Sequence, residues 1–181
     1  MLLEILFWQG NSTFFRILCW FIKGIDTIHS IIIIILIMAH TSTYLNFSTC
    51  TEEAFQFYRS IFGSEFEWHI ARFGDIPPQE WMPPLAESDK NLIIHICLPI
   101  LGGHKLMGTD APPSMGFIVN QGNNVHISLH PDSREETEKL FHWLMAGGTV
   151  EMPLQDMFWG AYYWSGRDKF GVQWMVNFEG K

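Results

Sequence analysis

The last quarter of the chain alternates apolar and polar residues with the period of a β-strand. Val172, Trp174, Val176 and Phe178 occupy alternate positions, with more polar residues between them. Aromatic residues separated by glycines run upstream of this segment, which favours further strands over a helix. The pattern predicts strands at Thr149–Pro153, Gly160–Ser165 and Gly171–Phe178, with a turn at Gly166–Phe170.

Two other segments carry apolar residues at helical spacing. The first follows Thr49 or Thr51 as a candidate cap and ends at Gly63, whereas the second follows Ser133, with Glu136 completing a capping box. The two helices match at a constant offset of 83 residues: Glu53 with Glu136, Phe57 with Leu140, Tyr58 with Phe141, Ile61 with Leu144, and Phe62 with Met145. This match predicts an internal duplication.

Each predicted helix follows one strand and precedes three, so each half of the chain reads βαβββ. The remaining strands are predicted at Tyr44–Phe47, Glu65–Phe73, Asn91–Pro99, His104–Asp110 and Val125–Leu129. The predicted fold class is therefore α+β, with paired modules at about residues 43–110 and 123–179 that form a curved mixed sheet. The helices cover its convex face, and the other face forms an open cavity. Residues 110–122 link the modules.

The composition indicates a folded domain with a core and restricts the classes of molecule that the protein can bind. Hydrophobic residues make up 48% of the 181 residues, enough for a core, and aromatic residues reach 15%, which fits either a core or a lined cavity. The net charge of −8, without a basic run, excludes nucleic acid as a partner. Cys19, Cys50 and Cys97 lack metal-binding spacing, so we expect reduced thiols and a cytoplasmic location.

Residues 1–37 differ from the rest because they are apolar and carry no net charge. Their apolar run, Ile31–Ala39, is shorter than the roughly 20 residues of a spanning helix. Three interpretations stay open: an over-long reading frame that truly starts at Met38, a membrane or interfacial anchor, or an ordinary extension of the domain formed by residues 38–181. A membrane partner is expected only if this segment is genuine.

Five stretches resemble a known family. They are LNF, TEEAFQFYRSIFG, GGHKLMGTDAP, NNVHISLHPDSREE and MPLQDMFWGAYYWSGRDKFGVQWMVNFE, between about Tyr44 and Glu179. They resemble the vicinal oxygen chelate superfamily, which includes glyoxalase I, extradiol dioxygenases and the bleomycin resistance proteins, and more narrowly its PhnB-like branch. The resemblance implies the paired-module fold and a homodimer.

The resemblance also implies a divalent metal, held by His or Gln on the first strand of each module and Glu on the last. Here Met107 and Met175 occupy the glutamate positions, and Thr43 or Tyr44 stands on one first strand. His126, on the other first strand, is the only plausible ligand. Because thioether sulfur is a poor ligand for Mg²⁺, Mn²⁺, Fe²⁺ or Zn²⁺, we expect no cofactor, with a divalent metal as the alternative.

Aromatic and sulfur-containing side chains are the candidates for an apolar ligand pocket. The predicted lining is Trp81, Met107, Phe158, Trp159 and Trp174, with His126 and Gln155 as polar members. An aromatic core or a dimer interface would equally explain the aromatic residues, and His126 fits either a cavity base or a hydrogen-bonded residue on a sheet. His95 and His104 could reach the same cavity. Asp156 could orient a ligand, and Asp168 is predicted to fix the turn beside it.

Three functions compete. The sequence favours a PhnB-like binding protein that holds a small organic ligand without the usual metal. The alternative is a small metal-dependent or histidine-dependent lyase, isomerase or dioxygenase, with His126 or an acid near Asp156 as the catalytic group. A fold that serves only dimerisation is the third. Phosphate-binding loops, nucleophile elbows and HExxH motifs are absent from the sequence, as is the glycine-rich turn that a methyl donor requires.

Overall fold

A computed structural model describes residues 40–77 and 85–180, so the extension at residues 1–37 and Trp81 lie outside the described residues. The first module contains β1 (Thr43–Phe47), α1 (Thr51–Phe62), β2 (Ala71–Arg72), β3 (Ile93–Pro99) and β4 (Lys105–Asp110). The second contains β5 (Ile127–Leu129), α2 (Arg134–Leu144), β6 (Thr149–Asp156), β7 (Ala161–Arg167) and β8 (Gln173–Glu179). No helix in these described ranges is long and apolar enough to cross a bilayer.

The two modules have the same topology. Sheet 1 has the strand order β1-β4-β3-β2, and sheet 2 has the order β5-β8-β7-β6. In each sheet the first strand of the module runs parallel to the last, and the other pairs are antiparallel. This architecture confirms the predicted α+β fold of paired βαβββ modules. Their origin by duplication stays a prediction.

Several predicted boundaries were wrong: β6 continues to Asp156 beyond the expected end at Pro153, β5 begins at Ile127 instead of Val125, and two others have a clear physical reason. The strand expected over Glu65–Phe73 is reduced to Ala71–Arg72, because the preceding residues form only one backbone hydrogen bond with β3, from Glu67 N to Cys97 O, and no ladder. The turn expected from Gly166 begins later, since Gly166 pairs with Trp174 inside the β7–β8 ladder. A side chain at Gly166 would collide with the Met145 sulfur and the Thr149 carbonyl, so this glycine allows close packing instead of turning the chain.

The two helices begin with different caps. The Ser133 hydroxyl accepts a hydrogen bond from the Glu136 N–H at 3.1 Å, which confirms Ser133 as the cap of α2. The predicted capping box is incomplete, because the Glu136 carboxylate accepts from the Asp132 N–H instead of the Ser133 N–H. Neither Thr49 nor Thr51 caps α1. Cys50 holds the cap position without a side-chain hydrogen bond, and the Asp110 carboxylate accepts from the Thr51 N–H at 3.0 Å. The cap of α1 therefore comes from the end of β4.

The core lies between the helices and the sheets. Trp164 and Trp174 are fully buried, and the α1 residue Tyr58 packs on Trp174 with ring centroids 5.5 Å apart. Asp168 is buried beneath them, and its carboxylate accepts hydrogen bonds from the backbone N–H groups of Phe170 and Val172. These bonds confirm that Asp168 fixes the β7–β8 turn, as predicted.

Candidate functional site

Each sheet has one face that packs on the helices and one concave face that is turned away from them. In sheet 1, the Phe55 ring of α1 lies against Gly108, so the neighbouring Met107 points to the concave face. In sheet 2, the Phe141 ring of α2 packs on Trp164, so Ser165 and its cross-strand partner Met175 point to the concave face. Both methionines at the expected glutamate positions therefore line concave surfaces.

The concave face of sheet 2 is strongly curved. β5 and β6 are its opposite edges, yet His126, just before β5, lies 3.4 Å from a carboxylate oxygen of Glu151 on β6. The β6–β7 register shifts between Val150 and Met152, and this irregularity leaves Glu151 outside the regular pairing. The two edges of the sheet therefore approach each other on the concave side, where His126 and Glu151 form a histidine–carboxylate pair.

Two aromatic side chains and one amide form what we call the aromatic shelf of sheet 2: Trp159, Tyr163 and Asn177. Trp159 packs edge-on against Tyr163 at 5.9 Å, and its indole N–H donates to the Asn177 side-chain oxygen at 3.4 Å. Trp159 keeps 48% of its surface exposed, and Phe158 beside it keeps 96%. The shelf therefore offers a fixed, half-exposed indole to solvent.

Two polar residues predicted near the aromatics have different surroundings. Gln155 lies opposite Tyr163 in the β6–β7 ladder and is exposed, next to the shelf. Asp156 instead forms an ion pair with Arg134 of α2 at 2.6 Å, and that guanidinium covers the Tyr162 ring. The hydrogen bond from Arg134 lowers the pKa of Asp156 below its ordinary value, so this carboxylate is not poised as a general acid.

The predicted site residues do not all meet. His126, Gln155, Phe158 and Trp159 belong to sheet 2 or to its β6–β7 turn, whereas Met107 lies on sheet 1. Trp174 points to the helices, is fully buried and donates its indole N–H to Asp168 at 2.8 Å. Trp174 is therefore a core residue in this fold, although its position on β8 suggested a cavity.

The concave face of sheet 1 carries a second set of side chains. Tyr44 and Trp68 flank His95, with the Tyr44 hydroxyl 3.4 Å from His95 Nδ1 and the Trp68 ring stacked on the imidazole. Alternation along β3 could have placed His95 on this face, but Trp68 lies in an irregular segment and gave no signal. His104 contacts Thr43 at 2.9 Å instead, so the three candidate histidines have separate partners.

Charged groups border this set. Lys105 donates to Glu67 at 2.7 Å and lies over the Trp68 ring, and the Cys97 thiol donates to the same carboxylate at 3.3 Å. Burial, together with the hydrogen bond to Glu67, raises the pKa of Cys97 to about 11. Because the thiolate is the nucleophilic form, Cys97 is an inert thiol at neutral pH.

The donors at the expected metal position fit a divalent metal poorly. Met175 lies between Ser128 and Ser165 in the ladder, and Met107 between Tyr44 and Cys97. Within residues 40–77 and 85–180, no group of three or more His, Cys, Asp and Glu side chains is arranged to hold a metal ion. Thioethers and hydroxyls do not replace the two carboxylates that a hard cation requires.

Paired βαβββ modules, each with one sheet face packed on a helix and the other turned away from it, define the class of α+β proteins to which this molecule belongs. Residues 47–176 match the model of the Glyoxalase/Bleomycin resistance protein/Dioxygenase superfamily. The chain belongs to this superfamily.

Individual relatives agree with this assignment. Protein YjdN of Escherichia coli (strain K12) is 32% identical over 143 residues, which cover 75% of this chain and 92% of that protein. The crystal structure of protein PA1353 from Pseudomonas aeruginosa has a TM-score of 0.66 and 36% identity, covering 80% of this chain and all of that one. A putative 3-demethylubiquinone-9 3-methyltransferase, the PhnB protein from Bacillus cereus, has a TM-score of 0.60 and 26% identity over 77% of this chain and 99% of that one.

Proposed function

We propose that this chain is a PhnB-like protein that binds a small organic ligand on the aromatic shelf of sheet 2, without the metal site usual in its superfamily. The likeness to the Bacillus cereus PhnB protein supports the branch. One observation carries the function: Trp159 is half exposed, yet Tyr163 and Asn177 hold its ring in place. A surface aromatic that is already immobilised loses little entropy when a ligand stacks on it.

The surroundings of the shelf suit an organic molecule with a few polar groups. Met175 and Tyr163 supply apolar surface on the same face, whereas Gln155 and the His126–Glu151 pair supply donors and acceptors. Ligand sites typically combine such apolar walls with a small number of fixed polar groups. The thioether of Met175 adds a polarisable contact in place of the metal-binding carboxylate.

A matched pair of tryptophans allows a direct test. A panel of small aromatic molecules would be screened by saturation-transfer NMR, and the strongest binder titrated by calorimetry. Trp159→Ala should weaken its binding about tenfold or more, because a stacked aromatic contact contributes on the order of 1 kcal/mol beyond its buried area. Trp143→Ala removes an equally exposed tryptophan from α2, 48% against 48%, and should leave the affinity unchanged. Equal effects of the two substitutions would contradict the proposal.

The His126–Glu151 pair supports the second candidate, a metal-dependent or histidine-dependent lyase, isomerase or dioxygenase. A carboxylate 3.4 Å from an imidazole is the arrangement that orients a general base. Elemental analysis of the purified protein separates the candidates, since a stoichiometric metal that is lost in His126→Ala would favour the enzyme. A natural protein without stoichiometric metal would exclude the metal-dependent enzyme, and a stoichiometric metal retained in His126→Ala would contradict the proposed metal-free site.

Two further properties belong to this proposal. We infer self-association as a homodimer from the superfamily and from the exposed Phe158, which a partner surface would cover. We infer a cytoplasmic location because Cys50 and Cys97 are free thiols, which is usual in a reducing compartment.

A further inference from the structure

A groove of about 770 Å³ lies between the edge strands β1 and β5, away from the aromatic shelf. The linker between the modules, residues 115–122, forms one wall, and Phe47 and Ile127 contribute apolar surface. None of Trp159, Tyr163 and Asn177 lines it. Its volume is within the range of pockets that hold small organic molecules.

Uncharged amides supply much of the polar lining. Asn46, Asn120, Gln121 and Gln173 reach the groove, and none of its described lining residues is Lys, Arg or His. Asp110 is the one carboxylate in this described lining, and both of its oxygens already accept backbone N–H groups. The groove therefore has nothing to neutralise an anion, which favours an uncharged ligand.

Gln173 gives the groove its specific feature. This residue is 95% buried, and its side-chain oxygen Oε1 accepts no hydrogen bond in the described structure. A buried acceptor without a donor costs free energy, and a ligand N–H or O–H would remove that cost. Gln173 belongs to the groove lining, and the terminal torsion of a glutamine is soft, so its carboxamide oxygen can turn to meet a donor placed in the groove.

A hydrogen bond fixes the linker next to the start of β8 before any ligand binds. Gln121 Nε2 donates to the Phe170 carbonyl at 2.8 Å, and the Gln121 carboxamide lies directly over Gly171, where a side chain would collide with it. This contact keeps one wall of the groove next to the start of β8. A ligand would therefore enter a groove whose walls are already formed, which lowers the entropy cost of binding.

We propose that the groove between β1 and β5 is a second ligand site for a small, uncharged molecule that carries one N–H or O–H donor, directed at the Gln173 oxygen. The site stands on its own residues and does not depend on ligand binding at the aromatic shelf. Nonpolar contacts come from both edge strands and the linker, and the donor decides which molecules bind tightly.

Two ring systems of nearly equal shape test this proposal. Indole carries an N–H donor, and benzofuran has an oxygen acceptor in its place. Both would be titrated into the full-length, isotopically labelled protein, with amide and side-chain NH₂ signals followed by NMR. We expect indole to shift the signals of Asn46, Gln121 and Gln173, and to bind about tenfold more tightly than benzofuran.

Substitutions then test the acceptor. Gln173→Leu should reduce the preference for indole to about one, and Gln173→Met serves as a second variant of similar volume if the first perturbs the fold. Gln56→Leu makes the same chemical change on the exposed side of α1, outside the groove and the shelf, and should preserve the preference. Equal affinities in the natural chain, an unchanged preference in the Gln173 variants, or shifts confined to Trp159 and Asn177 would each overturn the proposal.

Discussion

Asp168 is a buried carboxylate that four donors satisfy. One oxygen accepts from the backbone N–H groups of Phe170 and Val172, and the other accepts from the Tyr58 hydroxyl at 2.7 Å and the Trp174 indole at 2.8 Å. Tyr58 belongs to the first module and Trp174 to the second. This single side chain therefore connects the two modules through hydrogen bonds at the same time as it fixes a turn.

Asp168→Asn should destabilise the protein strongly. An amide presents two N–H donors to groups that are themselves donors, so at least one buried pair loses its bond, at a cost of about 2–4 kcal/mol. Urea unfolding followed by circular dichroism would measure the change. Asp156→Asn is the control, because that carboxylate is mostly exposed and water screens its ion pair with Arg134, so its loss should change stability little. Similar losses in both variants would contradict this account of Asp168.

The raised pKa of Cys97 predicts that the free energy of unfolding falls in alkaline solution. Its pKa is 9.0 ordinarily and about 11 in the folded protein. Between these values the unfolded chain loses the thiol proton while the folded protein keeps it, so stability falls as the pH rises. The loss from this one group should reach about 2–3 kcal/mol by pH 11.

Cys97→Ser isolates this effect, because serine does not titrate in this range. The free energy of unfolding of both proteins would be measured by urea titration at intervals from pH 8 to pH 11. The two curves should converge toward high pH as the natural protein loses its advantage. Curves that stay parallel would show that the thiol does not ionise differently in the two states.

At the scale of elements, the two helices depend on different kinds of cap. Ser133 caps α2 from the adjacent residue, whereas Asp110 caps α1 from the end of β4 and also accepts from the Ile93 N–H at 2.7 Å. Asp110 thus satisfies donors from two elements, and the acceptor is charged. Removing the Asp110 carboxylate leaves two buried N–H groups without an acceptor. Removing the Ser133 hydroxyl leaves one N–H without an acceptor, and water can reach that group.

We expect Asp110→Ala to cost more than Ser133→Ala. The serine substitution should lower the free energy of unfolding by about 1 kcal/mol, and the aspartate substitution by about 3–5 kcal/mol. Thermal and urea unfolding would measure both. If Ser133→Ala proved the more damaging change, the assignment of Asp110 as the cap of α1 would be wrong.

The difference between these caps also explains what the sequence could predict. Local signals were sufficient for both helices, for the Ser133 cap and for the Asp168 turn, because each depends on residues a few positions apart. Asp110 acts on a helix 59 residues away, so no local pattern indicated it. The concave position of Met107 was expected only from the family resemblance, which assigned it to a glutamate position. Trp174 looked like a cavity residue until the helix showed which side of β8 is covered.

At the scale of the whole molecule, the exposed aromatic surface bears on assembly. Phe158 at the β6–β7 turn keeps 96% of its surface in solvent and contacts the ring of Trp159. An exposed phenylalanine next to a half-exposed tryptophan is typical of a surface that a partner covers. With homodimerisation proposed, the turn between β6 and β7 is where we expect the partner subunit to make contact.

Phe158→Ser should therefore shift the protein from dimer toward monomer. Removing a phenylalanine from the centre of an interface commonly costs about 2 kcal/mol or more, which corresponds to roughly a thirtyfold weaker dimer. Light scattering coupled to size exclusion, run over a range of protein concentrations, would detect the change. Ile118→Ser is the matched control, because Ile118 is also largely exposed, at 84%, but lies in the linker beside the groove. Dissociation by Ile118→Ser alone would place the interface on the linker instead, and a chain that is monomeric at every concentration would leave Phe158 free to contact the ligand of the aromatic shelf.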